Sequence, residues 1–389
     1  MSRSNRTPPT DLDIEVISRI LDVPAQDWDS LVCENDPFTE HAFLHALEAS
    51  KSVGRGTGWN PVHILARRDG RLVGAAPAYL KHHSYGEYIF DWGWADAAQR
   101  AGVPYYPKIT CAVPFTPATG RRLLTGPGDL DVPVAMALVD GMRAVARAAK
   151  AHSIHLLFTT DQEHQQLSSD ALIPRTTHQF HWHNDGYEDF DAWLCTFRSR
   201  RRKEVRRERR QAAESGAKIR VIPGTELTDK IWAALHRFYM ATVQKKHAHA
   251  YLSEAFFSHA QAHLAHRVLA FVAEVDDAPV AAALAFQRGD HLYGRYWGCD
   301  PGWERLHFEL CYHLPIAECI ARGWTRFEAG AQGTHKIQRG LLPKPTWSLH
   351  QLAHPGLARA VREAVQHETA QVHQEIDALC RYGPFHRDN

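Results

Sequence analysis

Apolar and polar positions follow three successive patterns in the C-terminal third of the chain. Residues 291–298 have the dense aromatic and apolar content of a strand. Residues 308–321 space their apolar side chains as one face of a helix, which Pro315 should kink. Residues 324–329 return to the pattern of a short strand. The sequence therefore predicts a strand, a kinked helix and a second strand in succession.

A glycine-rich turn at residues 330–333 follows the second strand. Thr334 is placed to cap one or two helical turns, which Gly340 ends. The free N–H groups of a helix N-terminus favour an anion, and Lys336 and Arg339 lie close enough in sequence to reinforce that preference. The strand, the turn and the helix thus form a candidate cradle for an acyl donor or a phosphate.

The same order of elements occurs earlier in the chain. Asp69-Gly70 and Asp276-Asp277 each separate two apolar runs, and each dipeptide predicts a hairpin turn. This repeated order supports a tandem duplication. The remaining patterns predict strands at 14–21, 88–92 and 154–159, and helices at 38–50, 131–151, 231–243 and 357–379.

Composition narrows the class of protein. The 389 residues are 44% hydrophobic, which is ample for packed cores, and no apolar run approaches the roughly 18 residues of a membrane helix. The N-terminus lacks the apolar core of a signal peptide, so we expect a cytoplasmic protein. The seven cysteines are scattered without a CxxC pair, and no HExxH pattern occurs among the 26 histidines. We therefore expect a reducing compartment and no bound metal.

Positive charge is concentrated in one segment, although the formal net charge of the chain is only +1. Residues 198–210, RSRRRKEVRRERR, hold nine Lys or Arg and two Glu. This surplus predicts a basic helix that binds a polyanion. Two other interpretations stay open: ion pairs along the helix surface through Glu204 and Glu208, or arginines that bind the phosphates of CoA or of an acceptor. The candidate polyanion-binding residues are Arg200, Arg201, Arg202 and Arg206.

Polar and charged side chains also cluster on the otherwise apolar elements between residues 291 and 343. Such groups are costly to bury without partners, so their clustering indicates a functional site. They are Arg295, His307, Glu309, Gln332, His335, Lys336 and Arg339.

Several strings in the chain are similar to the signature of the Fem-like predicted N-acyltransferases, a family often described as peptidoglycan biosynthesis/recognition. Near the polar cluster they are YGRYWG at 293–298, LHFE at 306–309 and GAQGTHKIQRG at 330–340. Upstream they are DWGWA at 91–95, YYPK at 105–108, PFTPATGRRLL at 114–124 and QFHWHNDGY at 179–187. The resemblance covers nearly the whole chain.

The resemblance implies an α/β (α+β) fold of two tandem GNAT-like domains. Each is a mixed, largely antiparallel sheet flanked by helices, and a C-terminal helix follows. By analogy, the resemblance also implies acyl transfer to an amine. The expected parts are a disordered tail at 1–12, the first GNAT-like domain at 13–165, a crossover with the basic helix at 166–215, the second GNAT-like domain at 216–350 and the C-terminal helix at 351–389.

Acyl transfer requires a deprotonated amine, donors for the developing oxyanion and protonation or shielding of the leaving group. His307 is the candidate base because an ordinary histidine titrates near neutral pH, with Glu309 as its orienting partner or its replacement. The candidate donor- or phosphate-binding residues are Arg295, Gln332, Gly333, His335, Lys336 and Arg339. The candidate acceptor-binding residues are Tyr105, Tyr106, Tyr239, Tyr296 and Trp297.

We expect no tightly bound cofactor. Acyl-CoA or aminoacyl-tRNA is the expected co-substrate, the acceptor is an amine of a small molecule, peptide or cell-wall precursor, and the protein is a monomer or homodimer. Two alternatives stay open: a non-catalytic GNAT-like binding protein, and an aminoacyl-tRNA-dependent transferase of the Fem type, which carries a similar arginine-rich segment. Residues 71–76 fit the R-x-x-G-x-A form of an acetyl-CoA loop, but they enter a hairpin strand instead of joining a strand to a helix.

Overall fold

The computed structural model of the protein describes residues 12–330 and 333–386. Residues 1–11, the greater part of the predicted tail, lie outside the described residues. Gln332, a candidate donor-binding residue, lies outside them as well, together with part of the turn predicted at 330–333.

Strands and helices alternate along most of the described chain. The strands are β1 (Asp13–Ile17), β2 (Trp59–Pro61), β3 (His63–Arg68), β4 (Arg71–Ala76), β5 (Ala78–Lys81), β6 (Lys108–Cys111), β7 (Ser153–Thr159), β8 (Ile173–His183), β9 (Lys218–Pro223), β10 (Val268–Val275), β11 (Ala278–Arg288), β12 (His291–Cys299), β13 (Arg326–Glu328) and β14 (Leu342–Leu352). The α-helices are α1 (Ala25–Asp29), α2 (His41–Ala49), α3 (Trp92–Arg100), α4 (Val132–Ala148), α5 (Asp161–Leu167), α6 (Phe190–Cys195), α7 (Ser199–Ala213), α8 (Asp229–Lys245), α9 (Glu254–His263), α10 (Leu314–Ala321) and α11 (Pro355–Arg381). A π-helix spans Glu309–His313, and 3-10 helices span Ile20–Asp22, Gly224–Glu226, Ala265–Arg267, Glu304–Leu306 and Thr334–Arg339.

Within the described ranges, β1, β3 and β4 form a three-stranded sheet in the order β1-β3-β4. The other strands form an eleven-stranded sheet in the order β2-β5-β6-β7-β14-β8-β13-β12-β11-β10-β9. In the larger sheet, β6–β7 and β12–β13 are parallel pairs and the other pairs are antiparallel. A mixed, largely antiparallel sheet flanked by helices confirms the predicted fold class. The domain boundaries stay a prediction.

Both predicted hairpins are confirmed. β3 pairs with β4 across Asp69-Gly70, and β10 pairs with β11 across Asp276-Asp277. The φ angles are 51° and 76° in the first turn and 49° and 57° in the second. Aspartate and glycine tolerate this left-handed region better than other residues, and two successive positive φ angles match the twist of the paired strands. The local turn chemistry therefore determines both hairpins.

Side chains alternate between the two faces of β10, β11 and β12 and fill two separate cores. Val272, Leu284 and Tyr293 lie on the face that is covered by α8 and α9, which we call the α8 face. Phe271 and Ala283 lie on the opposite face, which is covered by the π-helix and α10 and which we call the π-helix face. Because both faces are covered, the centre of this sheet is shielded from water on both sides.

The helix predicted at 308–321 is present as the π-helix followed directly by α10, and Pro315 lies in the first turn of α10. Proline has no backbone N–H, and its ring collides with the carbonyl four residues before it, which here belongs to Cys311. The wider π-turn accommodates this conflict and lets the chain continue as a helix. Such π-turns are frequent at functional sites.

The strand predicted at residues 88–92 is wrong. The chain forms a loop there, α3 begins at its end, and Tyr88 has a φ of 64°, which a strand does not allow. The buried amine of Lys108 holds the loop by donating to Glu87 at 2.9 Å and to Asp91 at 2.5 Å. Contacts distant in sequence thus override the apolar pattern of this segment.

The C-terminal helix is confirmed as α11, which packs on β8 and β14 and buries Val361 and Val365. None of the helices in the described ranges combines the length and the apolar character needed to cross a membrane.

Candidate functional site

The parallel strands β12 and β13 separate soon after they pair. Only His291, Leu292 and Tyr293 of β12 are paired with β13 in the described chain, while β12 continues to Cys299 and β13 ends at Glu328. A cavity of about 810 Å³ opens where the strands part. Its lining includes side chains from both faces of the sheet, so the cavity passes through the sheet.

A β-bulge in β12 distributes side chains between the two faces. Leu284 and Ala285 of β11 pair with the two neighbours of Arg295, which makes Arg295 the extra residue. As a result, Arg295 and Tyr296 lie on the same α8 face, whereas Trp297 packs on the π-helix face. The bulge therefore places predicted site residues on both sides of the gap.

We call the part of the cavity on the α8 face the aromatic chamber. The rings of Phe115 and Tyr251 are stacked with centroids 4.7 Å apart, and those of Tyr239 and Tyr296 meet edge to face at 5.2 Å. Tyr88 completes the lining from the loop before α3. Five rings from distant parts of the chain thus enclose an apolar space.

Arg295 is the cation of the aromatic chamber. Its Nη2 donates to the carbonyl oxygen of Phe115 at 2.6 Å, and its guanidinium lies 5.5 Å from the ring centroid of Phe38 and 5.4 Å from that of Tyr296. No carboxylate in the described part of the chain forms a salt bridge with it. The remaining N–H groups of Arg295 are therefore available to a ligand.

We call the part of the cavity on the π-helix face the polar chamber. The ring of His307 packs against those of Trp297, Tyr312 and His335, at centroid separations of 5.3, 5.4 and 5.9 Å. The hydroxyl of Tyr312 lies 2.9 Å from Nε2 of His335, within hydrogen-bonding distance. Lys336 completes this chamber, so His307, His335 and Lys336 are brought together as predicted.

Both histidines of the polar chamber are neutral at physiological pH. Burial lowers the pKa of His307 to about 4, and the nearby positive charge of Arg339 acts in the same direction. Burial also lowers the pKa of His335. Each ring therefore keeps one nitrogen with a free lone pair, which can accept a hydrogen bond or a proton.

Lys336 is almost fully buried, with 3% of its surface exposed. Its Nζ donates to the carbonyl oxygen of Gly330 at 2.7 Å, and no carboxylate among the described residues forms a salt bridge with it. Burial lowers the pKa of Lys336 to about 7, with a further lowering by the charge of Lys246. Near neutral pH a substantial fraction of this amine is therefore unprotonated.

The rim of the cavity is basic. Lys245 and Lys246 are exposed at the end of α8 and just beyond it, and both line the cavity. Together with Arg295 and Lys336, they face a single carboxylate, Glu304, in the described lining. Such a site attracts negatively charged ligands.

Glu309 and Arg339 are predicted site residues that do not line the cavity. Glu309 accepts a hydrogen bond from Nε of Arg209 at 3.3 Å and lies 3.1 Å from Nδ1 of His313. Arg339 donates to Glu208 at 2.5 Å. These pairs connect α7 to the π-helix and to the 3-10 helix that follows the turn, so the structure does not bring Glu309 into contact with a ligand in the cavity.

The short helix after the turn begins at Thr334, and its N-cap is Gly333. The prediction of Thr334 as the N-cap is thus wrong by one residue. Gly333 has a φ of 109°, and a Cβ atom on it would lie 2.5 Å from the ring of His335. Glycine at this position therefore lets the His335 ring pack back over the turn.

Tyr105 and Tyr106 lie away from the cavity. The hydroxyl of Tyr105 donates to Asp91 at 2.5 Å, and that of Tyr106 lies 2.8 Å from the hydroxyl of Ser84. Both tyrosines belong to the polar network that holds the loop before α3. The structure brings the other three acceptor candidates to the cavity but not these two.

The basic helix is confirmed as α7. Arg201 pairs with Glu204 at 2.5 Å, Arg206 lies 3.6 Å from Asp191, and Arg202 donates to a backbone carbonyl. The helix therefore has the surface ion pairs of one expected interpretation and also an exposed basic face, and polyanion binding stays a prediction. The exposed cations without a salt bridge among the described residues are Arg200, Lys203, Arg207 and Arg210.

Sequence reasoning missed Tyr88, Phe115, Tyr251 and Lys246. The segment QKKHAHAY at 244–251 carried a usable signal, since two lysines, two histidines and a tyrosine within eight residues are unusual for a plain connector.

The described residues contain no group of three or more His, Cys, Asp or Glu that could hold a metal ion.

A sequence profile and several solved structures are similar to this chain. The profile of the FemAB-like family, described as peptidoglycan biosynthesis/recognition, matches residues 19–387. No curated protein matches the chain. The crystal structure of FemX has a TM-score of 0.53 at 13% identity, and the match covers 87% of this chain and 98% of FemX.

Two further structures show the same fold. The C-terminal domain (DUF2156) of a putative lysylphosphatidylglycerol synthetase from Agrobacterium fabrum has a TM-score of 0.53 at 10% identity, covering 87% of this chain and 95% of that domain. The structure of L-PGS from Bacillus licheniformis has a TM-score of 0.50 at 9% identity, and the match covers 86% of this chain and 98% of the chain in that structure. At such low identities these similarities concern the fold alone.

Proposed function

The chain belongs to the FemAB-like family of peptidoglycan biosynthesis/recognition proteins, and from this premise we propose that it is an N-acyltransferase. It moves an acyl or aminoacyl group from a phosphate-bearing donor to an amine. Membership of the family supports an acyl- or aminoacyltransferase as the general activity. The donor in this proposal is acyl-CoA or aminoacyl-tRNA, and the acceptor is an amine of a small molecule, a peptide or a cell-wall precursor.

The observation that carries the proposal is the cavity that passes through the sheet between β12 and β13. A donor in the polar chamber and an acceptor in the aromatic chamber approach each other from opposite faces of the sheet. Their reacting atoms can meet in the gap between the strands, where the enclosed geometry holds them at the roughly 3–3.5 Å that precedes reaction. The basic rim at Lys245 and Lys246 suits the phosphates of the donor.

The reaction forms one C–N bond and breaks one C–S or C–O bond. The neutral amine attacks the carbonyl carbon of a thioester or an aminoacyl ester, and the electron pair of the broken bond leaves with the sulfur or oxygen. The amine loses a proton to a base, and the leaving group gains one. Tyr312 suits the leaving group as a hydrogen-bond donor, because burial raises the pKa of its hydroxyl and keeps it protonated. The proton that the base takes from the amine is the one that the leaving group finally gains.

We assign the first proton transfer to Lys336. A base works best when its pKa lies near the working pH, and the pKa of Lys336 is about 7, whereas that of His307 is about 4. His307, which is neutral, instead accepts a hydrogen bond from the amine and orients it. The sequence favoured His307 as the base because burial inside the cavity is not visible in a string of residues.

Binding of the donor tests the proposal. The melting temperature of the purified protein is measured with acetyl-CoA, with longer acyl-CoAs and with charged tRNA. We expect stabilisation by an acyl-CoA, with an apparent affinity at least about tenfold weaker in the double variant Lys245→Ala/Lys246→Ala, because two phosphate-binding charges are lost. The matched control, Lys203→Ala on α7, should bind acyl-CoA as the wild type does.

A second candidate function is favoured by the exposed basic face of α7. In an aminoacyl-tRNA-dependent transferase, this face binds the phosphate backbone, so tRNA and not acyl-CoA raises the melting temperature. Changing Lys203 and Arg207 to glutamate then abolishes the shift, while the Lys245/Lys246 variant retains part of it. No shift with either donor class contradicts both transferase hypotheses and favours a non-catalytic binding protein.

A further inference from the structure

We infer that the acceptor is an amine that also carries a carboxylate, as amino acids and peptides do, and that Arg295 in the aromatic chamber binds this carboxylate. The inference rests on the proposed acyl transfer and names the class of acceptor that the aromatic chamber selects. Polyamines and other amines with additional positive charges are excluded by the same features.

The first line of evidence is the charge of the chamber. Arg295 has no carboxylate partner in the described part of the chain, although it lies among apolar rings. A guanidinium in such surroundings is stabilised when an anion binds it. The one carboxylate in the described lining, Glu304, lies 3.9 Å from Lys245 at the rim. A polycationic acceptor therefore finds no carboxylate in the aromatic chamber to pair with.

The second line of evidence is the geometry of Arg295. The β-bulge holds its backbone, the carbonyl of Phe115 engages Nη2, and the rings of Phe38 and Tyr296 flank the guanidinium. A guanidinium has five N–H groups in a planar fork, so one hydrogen bond leaves enough donors for two parallel bonds to a carboxylate. Arg295 is thus fixed before a ligand arrives, which reduces the entropy lost on binding.

The third line of evidence is the lining beside the guanidinium. Tyr88, Phe115, Tyr239 and Tyr251 present ring faces and edges instead of further charges. These rings suit the apolar or aromatic side chain of an amino acid. The positive charge of Arg295 also favours the neutral form of an amine held nearby, which is the form that attacks a carbonyl.

Donor phosphates are the competing ligand for Arg295, and the position of the residue argues against them. The charge of Lys246 acts on His307 and Lys336 in the polar chamber, whereas Arg295 lies between the rings of Phe38 and Tyr296. The chamber therefore offers one fixed cation among rings, which fits a single carboxylate on an apolar body better than a chain of phosphates.

Calorimetric titration without any donor tests the inference. The ligands are the free L-amino acids, the corresponding amino acid amides and spermidine, and the proteins are the wild type, Arg295→Met, Arg295→Lys and the surface control Arg322→Met. We expect at least one amino acid to bind about tenfold or more tightly than its amide, in the wild type and in the control. Arg295→Met should lose this preference, and Arg295→Lys should keep only part of it because the planar fork is lost.

Three results overturn the inference: equal binding of an acid and its amide, preferred binding of spermidine, or absence of binding by the whole panel. A preference that survives in a folded Arg295→Met variant, as checked by its melting temperature, overturns the assignment to Arg295. Acyl transfer to amines without a carboxylate contradicts the inference and leaves the transferase standing. Carboxylate-dependent binding without turnover from any donor contradicts the transferase and leaves the recognition by Arg295 standing.

Discussion

Lys108 and Lys336 are both buried, with 0% and 3% of their surface exposed, but their amines have opposite electrostatic properties. Burial lowers the pKa of a lysine, and at Lys108 this effect is overcome by Glu87 and Asp91, whose charges raise the pKa above its ordinary value. At Lys336 no such partner acts, so burial lowers the pKa to about 7. The carboxylates, and not the depth of burial, decide which amine stays charged.

The difference separates a structural lysine from a reactive one. The permanently charged amine of Lys108 binds three groups of the loop before α3 and cannot take up a proton. The amine of Lys336 has one carbonyl partner and an adjoining cavity, so it can change its protonation state during a reaction. Four predictions follow this contrast: the first three run from the largest expected effect to the smallest, and the fourth is linked to the third.

Replacing Lys108 by Met should destabilise the protein by about 3–5 kcal/mol, since buried Asp91 loses its lysine partner and buried Glu87 loses the nearer of its two. Urea unfolding at pH 7.5, followed by circular dichroism, measures the free energy of unfolding. The exposed Lys203→Met variant serves as the control and should remain within about 0.5 kcal/mol of the wild type. Wild-type stability in Lys108→Met would show that the network does not hold the loop.

Replacing Lys336 by Met should reduce kcat/KM by about 10²-fold or more, because the proton acceptor is lost, while stability at pH 7 rises. The rise is expected because the unfavourable burial of an amine without a carboxylate is removed. Steady-state kinetics and urea unfolding measure the two effects. Lys336→Arg is the sharper comparison, since arginine keeps the charge but cannot act as a base. Near-wild-type activity in Lys336→Arg would show that Lys336 contributes only its positive charge and does not act as the base.

The pH dependence should show the smallest effect, about tenfold between pH 6 and pH 8. If neutral Lys336 accepts the proton, kcat/KM rises with pH through about 7 and then levels off. The residual kcat/KM of Lys336→Met should not show this rise with pH. If the rise remains in the variant, another group accepts the proton.

The free energy of unfolding should also depend on pH through the lowered pKa of Lys336. Unfolded lysine titrates near 10.5, above the folded value of about 7, so the cost of burying Lys336 is complete below pH 7 and disappears as the pH rises towards 10.5. The stability gained by Lys336→Met should therefore be largest at or below pH 7 and should shrink at alkaline pH. Urea unfolding between pH 6 and pH 9.5 measures this trend, and a gain independent of pH would contradict it.

The fold was largely predictable because its signals are local. The Asp69-Gly70 and Asp276-Asp277 turns fix two hairpins, and the apolar period of residues 231–243 corresponds to a helix, now α8. The failure at residues 88–92 has a physical cause, since the buried amine of Lys108 fixes that loop from a distant strand. A period of apolar residues cannot reveal an ion pair across the fold.

The site was predictable only in part. His307, His335 and Lys336 are close in sequence and share the polar chamber, so their clustering was a sound signal. Tyr88 and Phe115 reach the aromatic chamber from the N-terminal half of the chain. A local sequence pattern cannot predict contacts between residues so far apart. Glu309 and Arg339 were predicted as site residues, but both form ion pairs with α7, and Glu309 also contacts His313 of the π-helix. The spacing of charged residues in a sequence cannot distinguish such an ion pair from a contact to a ligand.

The position of β14 has a consequence for protein synthesis. β14 begins at Leu342 and lies between β7 and β8, both of which leave the ribosome more than a hundred residues earlier. Until β14 is made, the facing edges of β7 and β8 have open backbone hydrogen-bonding groups, a state that invites pairing with other chains. The nascent polypeptide therefore exposes these two edges during translation, and the central sheet closes only after the residues of β14 have been made.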